Sequence, residues 1–255
     1  MWDEGDLATD VSAGLWITEL RHDPRSLRPR GTVGALVPPV FQAYARIPHP
    51  AYRIFTVPSI YMGREIVRRE YEPVRWEYIA RANGRVAHPL MEWEKIVGVN
   101  RNTSGGEHTW DDAPWTGSLD VNYVRELAEI LEGYTGTPES CWFAIWDGNT
   151  ALYEFRGIGG RLSVDSFDHI LISDSVRAAV KNLNNRAPNF WWPEDRAWFV
   201  VSHPDLPSTL VGGTKECISA ITSDPHLEAY EVDVSSSVIW GGDKVNPSSA
   251  EPASE

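Results

Sequence analysis

Residues 190–201 read FWWPEDRAWFVV, and no other stretch restricts the fold so strongly. If its end is a strand, Ala197, Phe199 and Val201 face one way and Trp198 and Val200 the other, so both faces are apolar. Such a strand is stable only in the middle of a sheet covered on both sides. The chain must therefore build a layered core, and 255 residues with 42% hydrophobic content are enough for one.

The neighbouring segments extend this reading. HPDLP is a turn, STLVGG a second strand, TKECISAITSD a helix with Cys217, Ile218 and Ile221 inward, and LEAYEVDV a final strand. That is a C-terminal β-hairpin–helix–strand unit. Upstream, LDVNYVRELAEILEGYTG predicts a helix with its apolar stripe on Val121, Val124, Leu127, Ala128 and Leu131, Asp120 near its start and Gly133 at its end. CWFAIWDG is a strand, with TALYEFRGI expected as its hairpin partner. In the first hundred residues GLWITEL reads as a short strand, FQAYARIPHP as a half-buried strand closed by Pro48 and Pro50, and VRWEYIARANGR as a short helix stopped at Asn83-Gly84. The fold class is α+β, with mixed or antiparallel sheets and few helices.

Residues 99–118 lose all periodicity and collect Gly, Ser, Asn, Asp and Pro. The expected organisation is an N-terminal lobe over 1–100, a loop or boundary over 101–118, a C-terminal α+β lobe over 119–236 and a disordered, Pro/Ser/Ala/Glu-rich tail over 237–255.

Formal charge is −13 and uneven: residues 1–100 carry 13 basic and 12 acidic side chains, residues 101–202 carry 8 and 15, and residues 203–255 carry 2 and 9. Such a surface repels phosphate, which disfavours generic nucleic-acid or anionic-membrane binding outside a local Arg patch. Two patches qualify: RHDPRSLRPR, and Arg64, Arg68 and Arg69, which share a face if helical. No apolar run reaches the roughly 18–20 residues of a spanning helix, and MWDEGDLATD is acidic, so a cytoplasmic location is expected. Cys141 and Cys217 sit in apolar surroundings and read as two buried thiols, which fits a reducing compartment.

No HExxH, CxxC, GxSxG or metal-loop pattern occurs, so no metal and no cofactor is expected. Gly212-Gly213-Thr214 reads as a tight turn with Thr214 as helix N-cap rather than as a phosphate loop. The ligand-site candidates are Trp191 and Trp192 as walls of a groove, Asp195 and Arg196 at its lip, and His49 and His88, each before a proline. Against that stands packing, because twelve tryptophans cannot all be ligand contacts. His203 with Asp205 and Asp168 with His169 are adjacent acid–imidazole pairs, which catalyse only if they also meet in space.

The block WWPEDRAWFV, followed by STLVGGT and LEAYEV, resembles a family of actinobacterial proteins with no assigned activity. LVPPVFQAYARIPHP, VRWEYIA, HPLMEW, TPESCWFAIWDG and VIWGGDKVN are similar to the same family, so the resemblance spans most of residues 33–246. The turn HPDLP departs from the more acidic and aromatic turn of that family. The resemblance implies no chemistry. Charge and the missing motifs lead to the expectation of a protein-binding protein of adaptor or immunity type, facing a basic partner. The alternative is an enzyme or small-ligand protein with a Trp-lined pocket. A DNA mimic would further require two rows of carboxylates at phosphate-like spacing.

Overall fold

A computed structural model describes residues 1–22, 29–97 and 110–247. Its centre is an antiparallel sheet of eight strands. In chain order the strands are β1 (Ala43–Pro48), β2 (Ala51–Tyr61), β3 (Arg64–Val74), β4 (Cys141–Trp146), β5 (Arg161–Val164), β6 (Phe167–Asp174), β7 (Phe190–Pro193), β8 (Phe199–Ser202), β9 (Ser208–Gly213) and β10 (Tyr230–Val232). The large sheet has the order β10-β1-β9-β8-β7-β4-β6-β5, and β2 and β3 form a separate two-stranded ribbon. The helices are α1 (Leu15–His22), α2 (Val33–Leu36), α3 (Trp76–Ala82), α4 (Trp93–Ile96), α5 (Val121–Glu132) and α6 (Lys215–Ser223). The α+β class holds, and no helix among the described residues is long and apolar enough to cross a membrane.

The strand that dictated a covered sheet sits where its sequence demands. β8 lies between β7 and β9, deep in the sheet. Trp198 and Val200 join Trp191, Val211 and the inner faces of α5 and α6 in one core. Phe199 and Val201 join Phe190, Trp192 and Leu210 on the other face, under Trp16 and Ile17 of α1 and Val33 of α2. Buried indole N–H groups must find acceptors; that of Trp198 donates to the Leu131 carbonyl at 3.0 Å, near the end of α5. Asp120 caps α5 through the Asn122 amide, and Thr214 caps α6 through the Cys217 amide. Cys141 and Cys217 are free, buried thiols.

The two-lobe expectation is overturned by pairing. β1, from the N-terminal segment, lies between β9 and β10, and Leu7 bridges Ile172, so one sheet draws on both halves. Residues 110–118 tie the halves together: Tyr52 and Asp112 exchange backbone hydrogen bonds, and the Gly117 amide donates to Leu206 at 3.1 Å. The remainder of the expected boundary, 98–109, lies outside the described residues, as do 23–28 of the Arg-rich segment and 248–255 of the tail.

Residues 237–247 are docked rather than disordered. Asp243 is fully buried and accepts from the amides of Val245 and Asn246 at 2.9 Å and from the His88 ring at 2.9 Å. Burial pushes its carboxyl up, but hydrogen bonds from the amide and side chain of Asn246 and from the amides of Val245 and Glu92 hold it down at about 2. GLWITEL forms helix α1 instead of a strand, because Trp16 and Ile17 turn toward the sheet one helical turn before Leu20. TALYEF is a 3-10 helix rather than a hairpin partner: the Asn149 side chain accepts from the Ala151 amide and starts a turn, and β4 pairs with β6. The Arg64–Arg69 stretch is strand, so Arg64 and Arg68 share one face and Arg69 takes the other. Gly212 and Gly213 end β9 instead of forming a turn; a Cβ at Gly212 would lie 2.5 Å from the Phe41 ring, so the α2-side layer packs directly on bare backbone there.

Candidate functional site

The expected site residues do not converge. Trp191 and Trp192 are buried on opposite faces of the sheet and line no groove. Asp195 fastens a neighbouring turn, accepting from the Thr135 hydroxyl at 2.8 Å and the Gly136 amide at 2.6 Å. Arg196, at φ 58°, lays its guanidinium over the Trp16 ring at 5.3 Å. His88 holds Asp243. His49 is buried; its Nδ1 donates to the Trp115 carbonyl at 2.5 Å, so Nε2 is left to accept from the Thr209 hydroxyl at 2.9 Å. Burial pulls its pKa down to about 4, and Arg46 adds to that, so the imidazole is neutral at pH 7. Ser202 continues the chain at 2.7 Å from Thr209, but all three side chains are enclosed. Of the sequence-adjacent acid–imidazole pairs, Asp168 and His169 turn apart, Asp168 meeting Ser163 while His169 donates to the Phe167 carbonyl, whereas the His203 ring accepts from the Asp205 amide at 3.2 Å with the Asp205 carboxylate, largely exposed, 4.0 Å away.

A tryptophan-lined cleft exists elsewhere, with a volume of about 720 Å³. Its back wall is a ladder of indoles. Trp76 of α3 lies 5.4 Å from Trp93 of α4, and Trp93 lies 5.0 Å from Trp110, ring centre to ring centre. Trp240 stands at the mouth with 81% of its surface exposed. Glu92, Glu94, Asp111, Asp112 and Asp205 line the cleft, as does the buried Arg46 of β1.

Each wall is held by identifiable bonds. The Trp76 indole donates to the His49 carbonyl at 2.7 Å. Helix α3 has Arg75 at its N-cap, which offers no acceptor. Glu228 takes over that task from across the chain, accepting from the amides of Trp76 at 2.6 Å and Glu77 at 2.8 Å. Burial raises the Glu228 pKa, and the two amides counter it. The Asp111 carboxylate accepts from the Ile54 amide at 2.8 Å, which places Trp110 against Trp93. Glu92 accepts from the Asp243 amide at 2.9 Å, so the docked C-terminal segment sets the rim and carries Trp240 to it.

Arg46 is the unusual member. Its Nη1 donates to the Pro89 and Met91 carbonyls at 2.9 Å each, its guanidinium lies 5.4 Å from the Trp76 ring centre, and its Nε has no hydrogen-bond partner among the described residues. Burial lowers its pKa to about 10 while Glu228 and Glu92 oppose that, so it stays charged at neutral pH. One buried guanidinium faces five carboxylates, and the cleft is net acidic. Indole faces beside carboxylates attract cations: a lysine, an arginine or a quaternary ammonium. No group of three or more His, Cys, Asp or Glu among the described residues could hold a metal ion.

Trp191 and Trp192 are core residues, and the tryptophans that line the cleft are others. Their neighbours differ in part: Trp93 and Trp110 of the cleft sit in EWE and WDD, beside acids, whereas the core ones sit in FWWP and AWFV. A smaller cavity of about 140 Å³, lined by Trp146, Phe167, His169, Phe190 and His203, is mainly apolar. No protein family, no curated protein and no solved structure matches the chain.

Proposed function

We propose that this is a cytoplasmic binding protein of adaptor or immunity type, whose acidic, tryptophan-lined cleft receives a basic segment of a partner protein. One observation carries the reading: five acidic residues and the exposed Trp240 line a cleft together with three tryptophans that contact one another in tilted and edge-on arrangements. A lysine or arginine side chain entering there gains a cation–π contact of about 0.5–2 kcal/mol and exchanges water for carboxylate partners. The rim charges steer a basic partner and reject acidic ones.

The test is a titration of the intrinsic tryptophan fluorescence with short oligoarginine and oligolysine peptides at low and high salt. Binding that weakens with salt, and that is lost in Trp240→Ala and reduced in Asp205→Asn, is the expected result. Equal binding of an acidic peptide, or none of the basic ones, defeats the proposal. The depth of the indole ladder favours a second reading, a small organic cation as ligand. Tetramethylammonium competing with the peptide at comparable concentration points to that reading.

A further inference from the structure

We infer that the β2–β3 ribbon is a dimerisation arm whose occupant is a second copy of this chain, joined edge to edge through β3. The ribbon leaves the body at Tyr52, where Tyr52 and Tyr71 pack on Trp115 and the Ile54 amide bonds Asp111. Beyond that base its two strands pair with each other in register from Ala51↔Val74 to Tyr61↔Arg64. With 11 residues per strand it reaches roughly 35 Å. Met62 and Gly63, at φ 50° and 74°, close it with the two-residue turn that matches strand twist, so the register is fixed.

A free two-stranded ribbon is only marginally stable in water, and three or more strands are the usual remedy. This one also exposes Ile60, Tyr61, Met62 and Val67, each with more than 60% of its surface in solvent. Its two outer edges differ. Pro58 removes a donor from the middle of β2, whereas β3 has no proline before Pro73. β3 is the open edge.

The charges along β3 identify what pairs with it. Its tip half carries Arg64, Arg68 and Arg69 with Glu65, and its base half carries Glu70 and Glu72. A two-fold axis through Arg68, perpendicular to the ribbon, runs β3 against its copy in the antiparallel sense. Arg64 of each copy then lies opposite Glu72 of the other on one face, giving two symmetric ion pairs. The Arg68 side chains of the two copies meet on the axis, and Glu70 of each strand, 2.7 Å from its own Arg68, offsets part of their repulsion. On the second face Val67 meets the aliphatic stem of Arg69. The same order of charges is not self-complementary in a parallel pairing. The product is a four-stranded ribbon whose central edges are closed.

The experiment is sedimentation of the full chain across a range of concentrations. The unaltered protein should sediment at twice the monomer mass. Glu72→Arg should shift it to monomer, and Glu72→Arg combined with Arg64→Glu should restore the dimer; Val67→Pro, at a position whose amide points away from β2 on the open edge, should also give monomer. Near-ultraviolet circular dichroism, unchanged in every variant, shows that the body is intact. A protein that is monomeric at all concentrations, a dimer indifferent to Glu72→Arg, or a reversed pair that fails to restore it overturns the inference.

Discussion

The eight-stranded sheet and the β2–β3 ribbon are both antiparallel and both rich in β-branched and aromatic residues, yet one is buried on both faces and the other exposed on both. The difference lies in what alternates. Along β8 apolar residues follow one another, so either face left in water would cost about 1.5–3 kcal/mol per large side chain. Along β3 Arg and Glu interrupt the apolar positions on both faces, so neither could enter a core without stranding charge. Strand hydrophobicity alone therefore does not decide burial; the placement of charge does.

The comparison can be broken most directly by substitution in the sheet. Trp198→Ala should cost about 3–5 kcal/mol in denaturant unfolding, and Trp191→Ala a similar amount, because both rings are enclosed in the same core. A loss below about 1 kcal/mol at Trp191 would revive it as a groove residue.

Acid should act on the sheet through His49, which spans β1 and β9 by way of Thr209. Its folded pKa of about 4 lies below the unfolded value of about 6.5, so the unfolded chain takes up the proton first. The stabilisation is complete above pH 6.5 and is lost as pH falls from 6.5 to 4, by about 3 kcal/mol. His49→Gln should flatten that limb of the stability–pH curve; a limb that survives in the variant assigns it elsewhere. Asp243 acts in a lower window: its depressed pKa of about 2 contributes stability above the ordinary carboxylate range, lost as pH falls through 2.

A smaller effect is expected at the docked C-terminal segment. Asp243→Ala strands the amides of Val245 and Asn246 and should cost about 1–3 kcal/mol, with new protease cleavage near residues 237–247. Resistance equal to that of the unaltered chain would show that other contacts hold the segment. The smallest effect belongs to the ribbon: Ile60→Asp should change monomer stability by less than about 0.5 kcal/mol. A large loss there would mean that the arm packs on the body and would erase the contrast.

How much of this was legible in sequence depended on whether the signal was local. Helix α5 was readable because stripe, cap and stop all fall within it, and β8 because its two apolar faces allow one environment only. GLWITEL was not, since seven residues fit a period of two or of 3.6 and only the surface they meet decides. The ribbon was hidden by its turn: Met62-Gly63 lacks the Asn-Gly or Asp-Gly that marks such hairpins. The tail DKVN carries a polar composition that suggests disorder, and its anchor, His88, lies 155 positions away. The cleft failed for the same reason, being assembled from α3, α4, the 110–116 segment and residues 238–240, which meet only in the folded chain.

The position of β1 also constrains how the molecule is made. It lies inside the sheet, and its register partner for Ala43 is Gly213, so about 170 residues separate two strands that must be neighbours. At about 5–20 residues per second, the ribosome delivers β9 roughly 10–30 s after β1. Throughout that interval β1 has both edges open and its apolar residues uncovered. The sheet closes only once nearly the whole chain has emerged, which makes folding slow for its size and makes nascent or truncated chains the species most in need of a chaperone.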